Sequence, residues 1–207
     1  AKVLWLPTVH ARHHLEHFGM PTYPWLAQRP GSLPQAPLPG LTLLDEAGVL
    51  RPEVREILLL ARDAGLVTGT GHVSLPEVHA AARFAREIGY RKLVQTHVGW
   101  HATDWPLEEL QRLAELGMWF EFCVNPCMPN RQQQSPRKLS DTFRALGHER
   151  CIAATDLGQH DNAHPIEGFR MWLRILATLG HTAAEIDLLA RRNPATLLDL
   201  GPGEEVA

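Results

Sequence analysis

Residues 92–124 read KLVQTHVGWHATDWPLEELQRLAELGMWFEFCV and contain one complete strand–helix–strand unit. The apolar runs at 92–97 and 118–124 have the length of buried strands. The segment between them at 106–117 has the pattern of a helix that ends at Gly117. Two short apolar strands joined by a helix predict a βαβ unit, in which the strands are parallel.

The same alternation extends from this unit in both directions along the chain. It predicts an α/β fold with about five parallel strands alternating with helices, in one domain over residues 1–200 with a flexible tail at 201–207. The strands are expected near 3–8, 66–72, 93–97, 118–124 and 151–156. The helices are expected at 51–65, 74–89, 106–117, 135–147 and 165–180, followed by TAAEIDLLARR and by PATLLDL, which Asn193 is expected to cap.

The composition excludes several classes of function. A net charge of -3 gives no electrostatic footprint for nucleic acid or an anionic membrane surface, and no apolar run has transmembrane length. No GxGxxG or P-loop motif follows a predicted strand, which argues against nucleotide binding. Three cysteines are too few for a disulfide framework and predict a protein of the reducing cytoplasm. A small-molecule substrate is the expected partner, and association between copies would cover open sheet edges.

Three predicted strands end on side chains that bind metals. His72 ends the second strand, His97 the third and Asp156 the last. In a parallel α/β barrel the chemistry collects at the carboxyl ends of the strands. Two imidazoles and a carboxylate at one edge predict a site for a divalent ion, Zn²⁺ first, with Mn or Fe as alternatives. Such an ion activates water, and a carboxylate such as Asp156 can take the proton of that water.

Four motifs in this order resemble the amidohydrolase superfamily of metal-dependent hydrolases: TGH, QTH, ATDLG and ARRNPATLLDL. The resemblance implies a partial (β/α)8 TIM-barrel-like fold with His72 and His97 as metal ligands. It implies that Asp156 binds the metal or serves as the proton-transfer base. The family's first-strand H-x-H pair and its bridging lysine have no counterpart here. We therefore expect a mononuclear site, in the C-terminal part of a protein whose first three strands precede this chain.

Residues on the loops that follow the strands are candidates for substrate contact. They are His10, Arg12, His101, Gln159 and His160. Arg29 and Arg131 are further candidates for holding an anionic group, and the Pro-rich segment 19–40 is expected to form a lid in which Trp25 contacts the substrate. The pattern leaves open whether Glu121 points toward the metal or away from it. For Cys123 we expect core packing, and for Cys127 a free thiol.

The leading hypothesis is a metal-dependent hydrolase in which a metal-activated water attacks an amide, ester or related bond of a small molecule. Two alternatives remain open. One is a metal-dependent decarboxylase or phosphoesterase with the same ligands. The other is a non-catalytic fragment or pseudoenzyme, which the missing first-strand pair favours.

Overall fold

A single parallel sheet organises the chain, and the computed structural model describes residues 1–19 and 39–201 of it. Each strand pairs with the next one along the sequence, so the sheet order is β1-β2-β3-β4-β5. The strands are β1 (Val3–Trp5), β2 (Val67–Gly69), β3 (Leu93–Gln95), β4 (Trp119–Cys123) and β5 (Cys151–Ala154). The predicted α/β fold with five parallel strands is confirmed, in one open sheet consistent with a partial TIM barrel.

Helices follow the strands and cover the sheet. The α-helices are α1 (Arg12–Phe18), α2 (Pro52–Asp63), α3 (Leu75–Glu87), α4 (Leu107–Glu115), α5 (Pro136–Leu146), α6 (Pro165–Thr178), α7 (Ala183–Asp187) and α8 (Asn193–Leu197). A π-helical turn, Leu188–Arg192, joins the last two. Proline occupies the first turn of several of these helices, where its missing N–H has no partner to lose. None of the described helices combines the length and apolar character that crossing a bilayer requires.

The core lies between the sheet and the helices that pack on it. Phe120 and Phe122 of β4 are fully buried, and the ring of Phe122 stacks on Phe143 of α5 with the centroids 4.0 Å apart. Trp172 of α6 and Leu113 of α4 are also inaccessible to solvent. Each such side chain stabilises the fold by roughly 1.5–3 kcal/mol through burial. The helices are therefore fixed firmly enough to hold the loops at the strand ends.

Two expectations about local structure were wrong, and one helix was not predicted. The strands end earlier than predicted, so His72, His97 and Asp156 lie beyond their last residues, in the connecting turns. Helix α1 falls in a segment for which the sequence predicted no element. Asn193 does not cap a helix, because its backbone is itself helical (φ -65°, ψ -46°) and its side chain bonds elsewhere.

Candidate metal centre

Two of the turns that follow strands contain a non-glycine residue in the left-handed backbone conformation. His97 follows β3 and Asp156 follows β5, and both have φ of 52°. The left-handed region costs a residue with a Cβ about 1–2 kcal/mol. Such strain persists only where the surrounding structure imposes it, and it concentrates at functional sites. The two turns thus mark the carboxyl edge of the sheet as a place to look for chemistry.

Three donor atoms converge at this edge. His97 Nδ1 lies 3.1 Å from Glu121 Oε2 and 3.3 Å from Cys123 Sγ. The backbone N–H of His97 also donates to Glu121 Oε2, at 3.3 Å. Glu121 and Cys123 are two residues apart on β4, so their side chains project from the same face of the sheet. The ligand atoms of the three residues all lie within 4.8 Å of one another. We call these three residues the strand-end cluster.

Burial and the nearby carboxylates together set the pKa values of His97 and Cys123 in the strand-end cluster. Burial lowers the pKa of His97, but the hydrogen bond and charge of Glu121 and the charge of Asp156 outweigh it, so the pKa is raised. Burial raises the pKa of the Cys123 thiol well above its usual value, and the two carboxylates raise it further. The thiol therefore stays protonated at neutral pH unless a cation offsets the carboxylates. A divalent ion would reverse this balance and release the thiol proton.

The chemistry of these donors fits a transition metal ion. An imidazole nitrogen, a carboxylate oxygen and a thiol sulfur suit Zn²⁺ or Fe²⁺ rather than Mg²⁺ or Ca²⁺, which prefer oxygen ligands. His97 and Glu121 are mostly shielded from solvent, and Cys123 is buried. Asn125 adds a buried Oδ1 with no hydrogen-bond partner among the described residues. The residues present could therefore hold such an ion.

Asp156 lies beside the strand-end cluster, in the turn that follows β5. Asn125 follows β4 and donates from Nδ2 to Asp156 Oδ2 at 2.8 Å. The other oxygen, Oδ1, receives only a long contact from Gln159 Nε2 at 3.4 Å. Asp156 is itself exposed, in contrast to its amide partner. One carboxylate oxygen is thus fixed while the residue remains open to solvent and substrate.

His72 is a buried, uncharged imidazole next to His97. The centroids of the two rings are 5.5 Å apart, and His72 Nδ1 lies 3.0 Å from His14 Nδ1. Burial first, and then the nearby imidazoles of His97, His14 and His13, lower the pKa of His72 to about 3. At neutral pH the ring is therefore neutral. That is the form in which a histidine ligates a metal.

The structure brings the three predicted metal ligands to one edge of the sheet, but only His97 among them belongs to the strand-end cluster. His72 and Asp156 flank the strand-end cluster, while Glu121 and Cys123 complete it around His97. Glu121, which the sequence left undecided, contacts His97. Cys123 is buried as expected, yet its sulfur faces the imidazole rather than only apolar neighbours.

The predicted substrate residues after the first strand lie near α1. Arg12 begins this helix and is exposed, and its Nε donates to Pro39 O at 3.2 Å. His10 is half-buried, and its carbonyl accepts from the N–H of Leu41.

The predicted substrate residues on later loops differ in their distance from the site. Gln159 contacts Asp156 directly, as described above. His160 is exposed on the same turn. His101 is exposed too, and its Nδ1 lies 2.9 Å from His17 Nε2 of α1. Gln159, His160 and His101 therefore lie around the carboxyl edge of the sheet, and none of them is part of the strand-end cluster.

Several further expectations concern the loops. Trp25, Arg29 and most of the predicted lid at 19–40 lie outside the described residues, as does most of the predicted tail. Arg131 is described, and its guanidinium pairs with Asp161 Oδ1 at 3.2 Å. That pairing neutralises the side chain that was a candidate for holding an anionic substrate group.

Comparison with known proteins gives a family but no activity. The model of a family described as "Family of unknown function (DUF6282)" matches residues 1–121, more than half of the chain. No curated protein matches. A crystal structure of Agrobacterium tumefaciens ATU3138 in its apo form is similar, with a TM-score of 0.48 and 18% identity over 70% of this chain and 55% of that one. The chain thus spans little more than half of that neighbour's length.

Proposed function

The chain belongs to the DUF6282 family of unknown function, and we propose that it is a metal-dependent hydrolase of a small-molecule amide, ester or related bond. The observation that carries the proposal is the convergence of His97, Glu121 and Cys123 at the carboxyl edge of a parallel sheet, with Asp156 beside them. Active sites of parallel α/β barrels lie at this edge. The motif resemblance to the amidohydrolase superfamily agrees with the same reaction class.

His97 and Glu121 are the residues that would hold the ion, with Cys123 as a third ligand. When bound, a divalent ion supplies Lewis acidity, which polarises a substrate carbonyl and lowers the pKa of water. Glu121 Oε2 already contacts His97 through both its ring and its backbone N–H, so the two side chains are fixed relative to each other. This rigidity reduces the entropy that ligand ordering would cost.

Asp156 is assigned the proton transfer. Asn125 holds Oδ2, so the weakly engaged Oδ1 is the oxygen available to take a proton from water during attack and to return it to the leaving group. The exposed position of Asp156 gives it access to both molecules.

His72 and its neighbours are assigned to the substrate side of the site. His72 is neutral near neutral pH, so one ring nitrogen keeps a lone pair for ligation or for a substrate hydrogen bond. Trp100 lies against its ring with the centroids 4.6 Å apart, and Phe18 of α1 lies 5.4 Å from Trp100. Together these rings form an apolar wall, while Gln159 beside Asp156 offers a polar contact.

Two substitutions separate metal binding from proton transfer. Asparagine tolerates a positive φ, so His97→Asn and Asp156→Asn keep the backbone at both turns. The matched control is His79→Asn on α3, where the imidazole pairs with Glu109 at 2.8 Å, away from the site. Metal content is measured by mass spectrometry on protein purified without chelators. Turnover is measured on a panel of amides, lactones and carboxylic acids.

We expect His97→Asn to lose one equivalent of metal together with activity. Asp156→Asn should keep the metal and lose about 10²–10⁴-fold in rate, the usual size of a general acid–base contribution. The control should match wild type in both. Full metal content in His97→Asn, or unimpaired turnover in Asp156→Asn, would contradict the proposal. Release of carbon dioxide from the carboxylic acids would favour the decarboxylase alternative.

A further inference from the structure

A second group of metal-ligating side chains lies at the opposite edge of the sheet. His148 is in the loop that leads into the amino end of β5, and His181 is in the loop between α6 and α7. Glu185 is on α7. All three residues lie outside the segment that the family model matches. The metal centre proposed above does not use them.

The three side chains present their donor atoms to one another. His148 Nε2 lies 3.0 Å from His181 Nδ1 and 3.9 Å from Glu185 Oε1, and all three atoms lie within 4.8 Å of one another. His181 is 5% exposed, whereas the Glu185 side chain is 39% exposed. The group is therefore shielded on the imidazole side and open to solvent on the carboxylate side, which provides a path of entry for an ion.

The carboxylate is oriented by the start of α7. Glu185 Oε2 accepts from the backbone N–H of Thr182 at 2.7 Å and from its hydroxyl at 2.9 Å. Both bonds occupy Oε2, and the one from the Thr182 N–H forms the capping box together with the Glu185 N–H, which donates to Thr182 Oγ1 at 3.2 Å. The other oxygen, Oε1, is the one that faces His148. The cap therefore holds a carboxylate oxygen in position beside the imidazoles.

The imidazoles are held in the same way. His181 Nε2 lies 2.8 Å from Ser140 Oγ, which leaves Nδ1 directed at His148. A partner on the second ring nitrogen is typical of histidines that ligate metals. The backbone of His148 is fixed by Asn193, whose Nδ2 donates to the His148 carbonyl at 2.7 Å. A neighbouring cation, Arg144, donates to Ser140 Oγ and to the carbonyl of Leu179.

We propose that His148, His181 and Glu185 form a binding site for a divalent transition metal ion such as Zn²⁺. Two imidazole nitrogens and one carboxylate oxygen suit Zn²⁺ better than Ca²⁺ or Mg²⁺. The three ligands come from the loop before β5, the loop after α6, and α7. A bound ion would link the C-terminal helices to the sheet, and its role would be structural. The proposal stands independently of the hydrolase proposal.

The test is a Zn²⁺ titration against a competing chromogenic chelator, in the His97→Asn background to weaken the strand-end cluster. The variants are His148→Asn and Glu185→Gln, and His79→Asn is again the control. Glutamine can keep the capping box, since its side-chain oxygen replaces Oε2 at Thr182. Its amide N–H₂ would then face the imidazoles, where it cannot ligate. Glu185→Gln therefore removes the ligand while retaining the helix start.

We expect the control to bind one Zn²⁺ in this background, and its melting temperature to rise with added Zn²⁺. Both test variants should bind at least about 100-fold more weakly, since even removing a group that only orients a ligand costs 10–100-fold. Their melting temperatures in EDTA, compared with that of the control, report whether they fold. Equal Zn²⁺ affinity in Glu185→Gln and the control would overturn the proposal, as would no Zn²⁺ binding in the control.

Cobalt substitution separates this site from the strand-end cluster. Co²⁺ bound to the Cys123 thiolate gives a sulfur-to-metal charge-transfer band, whereas a site of two imidazoles and a carboxylate has no sulfur to give one. If His97→Asn loses the charge-transfer band that wild type shows but still binds Co²⁺, that result would support the second site. In wild type, a charge-transfer band whose intensity accounts for all the bound Co²⁺ would refute the second site and leave the hydrolase proposal standing.

Discussion

Replacing Asn193 with alanine removes the side chain that joins the C-terminal helices to β5. Asn193 is 4% exposed, and its Nδ2 donates to the carbonyls of His148 at 2.7 Å and Cys151 at 2.6 Å. Leaving the Cys151 carbonyl without this donor should cost about 1–3 kcal/mol. The His148 carbonyl keeps a 3.3 Å bond from the Cys151 N–H, so its loss is smaller, about 0.5–1.5 kcal/mol. Alanine regains roughly 0.5 kcal/mol of helix propensity. The expected net destabilisation is about 1–4 kcal/mol, with its centre at about 2.5 kcal/mol.

The assay is urea unfolding followed by circular dichroism, together with thermal melting. For a chain of this size the loss corresponds to a fall in melting temperature of about 5–10 °C. Thr196→Ala is the matched control on α8, because Thr196 is exposed and its hydroxyl donates only to the Arg192 carbonyl. The control should change stability by less than about 0.5 kcal/mol. A destabilisation below about 1 kcal/mol in Asn193→Ala, or one equal to the control, would refute the reasoning.

Two further predictions concern backbone strain and pH. Gly71→Ala should cost about 3 kcal/mol or more in urea unfolding, because φ is 65° and a Cβ would lie 2.4 Å from the carbonyl oxygen of Pro7. Gly89→Ala has φ of 74°, and apart from the adjacent residues no atom in the described part of the chain lies within 4 Å of the new Cβ. It should therefore cost only about 1–2 kcal/mol, and equal losses in the two variants would contradict the steric argument. Burial raises the pKa of Tyr90, against the opposing hydrogen bond with Thr68. The neutral phenol therefore contributes stability that is complete below its unfolded pKa of about 10 and is lost as pH rises through the folded pKa. This alkaline loss, measured by unfolding across pH 8–11, should be smaller in Tyr90→Phe than in wild type, although not zero, because burial also raises the pKa values of thiols such as Cys123. An equal loss in the two proteins would contradict the assignment to Tyr90.

The sheet could be predicted from sequence because each strand is a buried apolar run separated from the next by a helix. The ends of the strands could not be predicted to the residue. Strand termination at β3 and β5 depends on the left-handed turns of His97 and Asp156, and neither residue gives the signal that a glycine would. Helix α1 was missed because a seven-residue segment with one buried side chain, Leu15, has too little apolar periodicity to indicate a helix.

The location of the site at the carboxyl edge of the sheet could be predicted from the sequence, but the set of residues that forms it could not. His97 could be placed there because a polar residue closed an apolar run. The contact between Glu121 and His97 depends on which face of the sheet each side chain takes. In MWFEFCV every residue except Glu121 is apolar, so the pattern does not say which face Glu121 occupies. The spacing of Glu121 and Cys123 was the available signal, because residues two apart on a strand share a face. This spacing indicates a site only when the turn after the neighbouring strand places an imidazole on the same face.

The consecutive order of the five strands has a consequence for synthesis on the ribosome. Each strand pairs with the one made just before it, so the sheet can grow at one edge as the chain emerges, without waiting for distant segments. His97, Glu121 and Cys123 emerge within one such step, as β4 adds to β3. A nascent chain that has released β4 therefore already carries all three donors. An ion captured at that stage would hold the growing edge in register until β5 arrives.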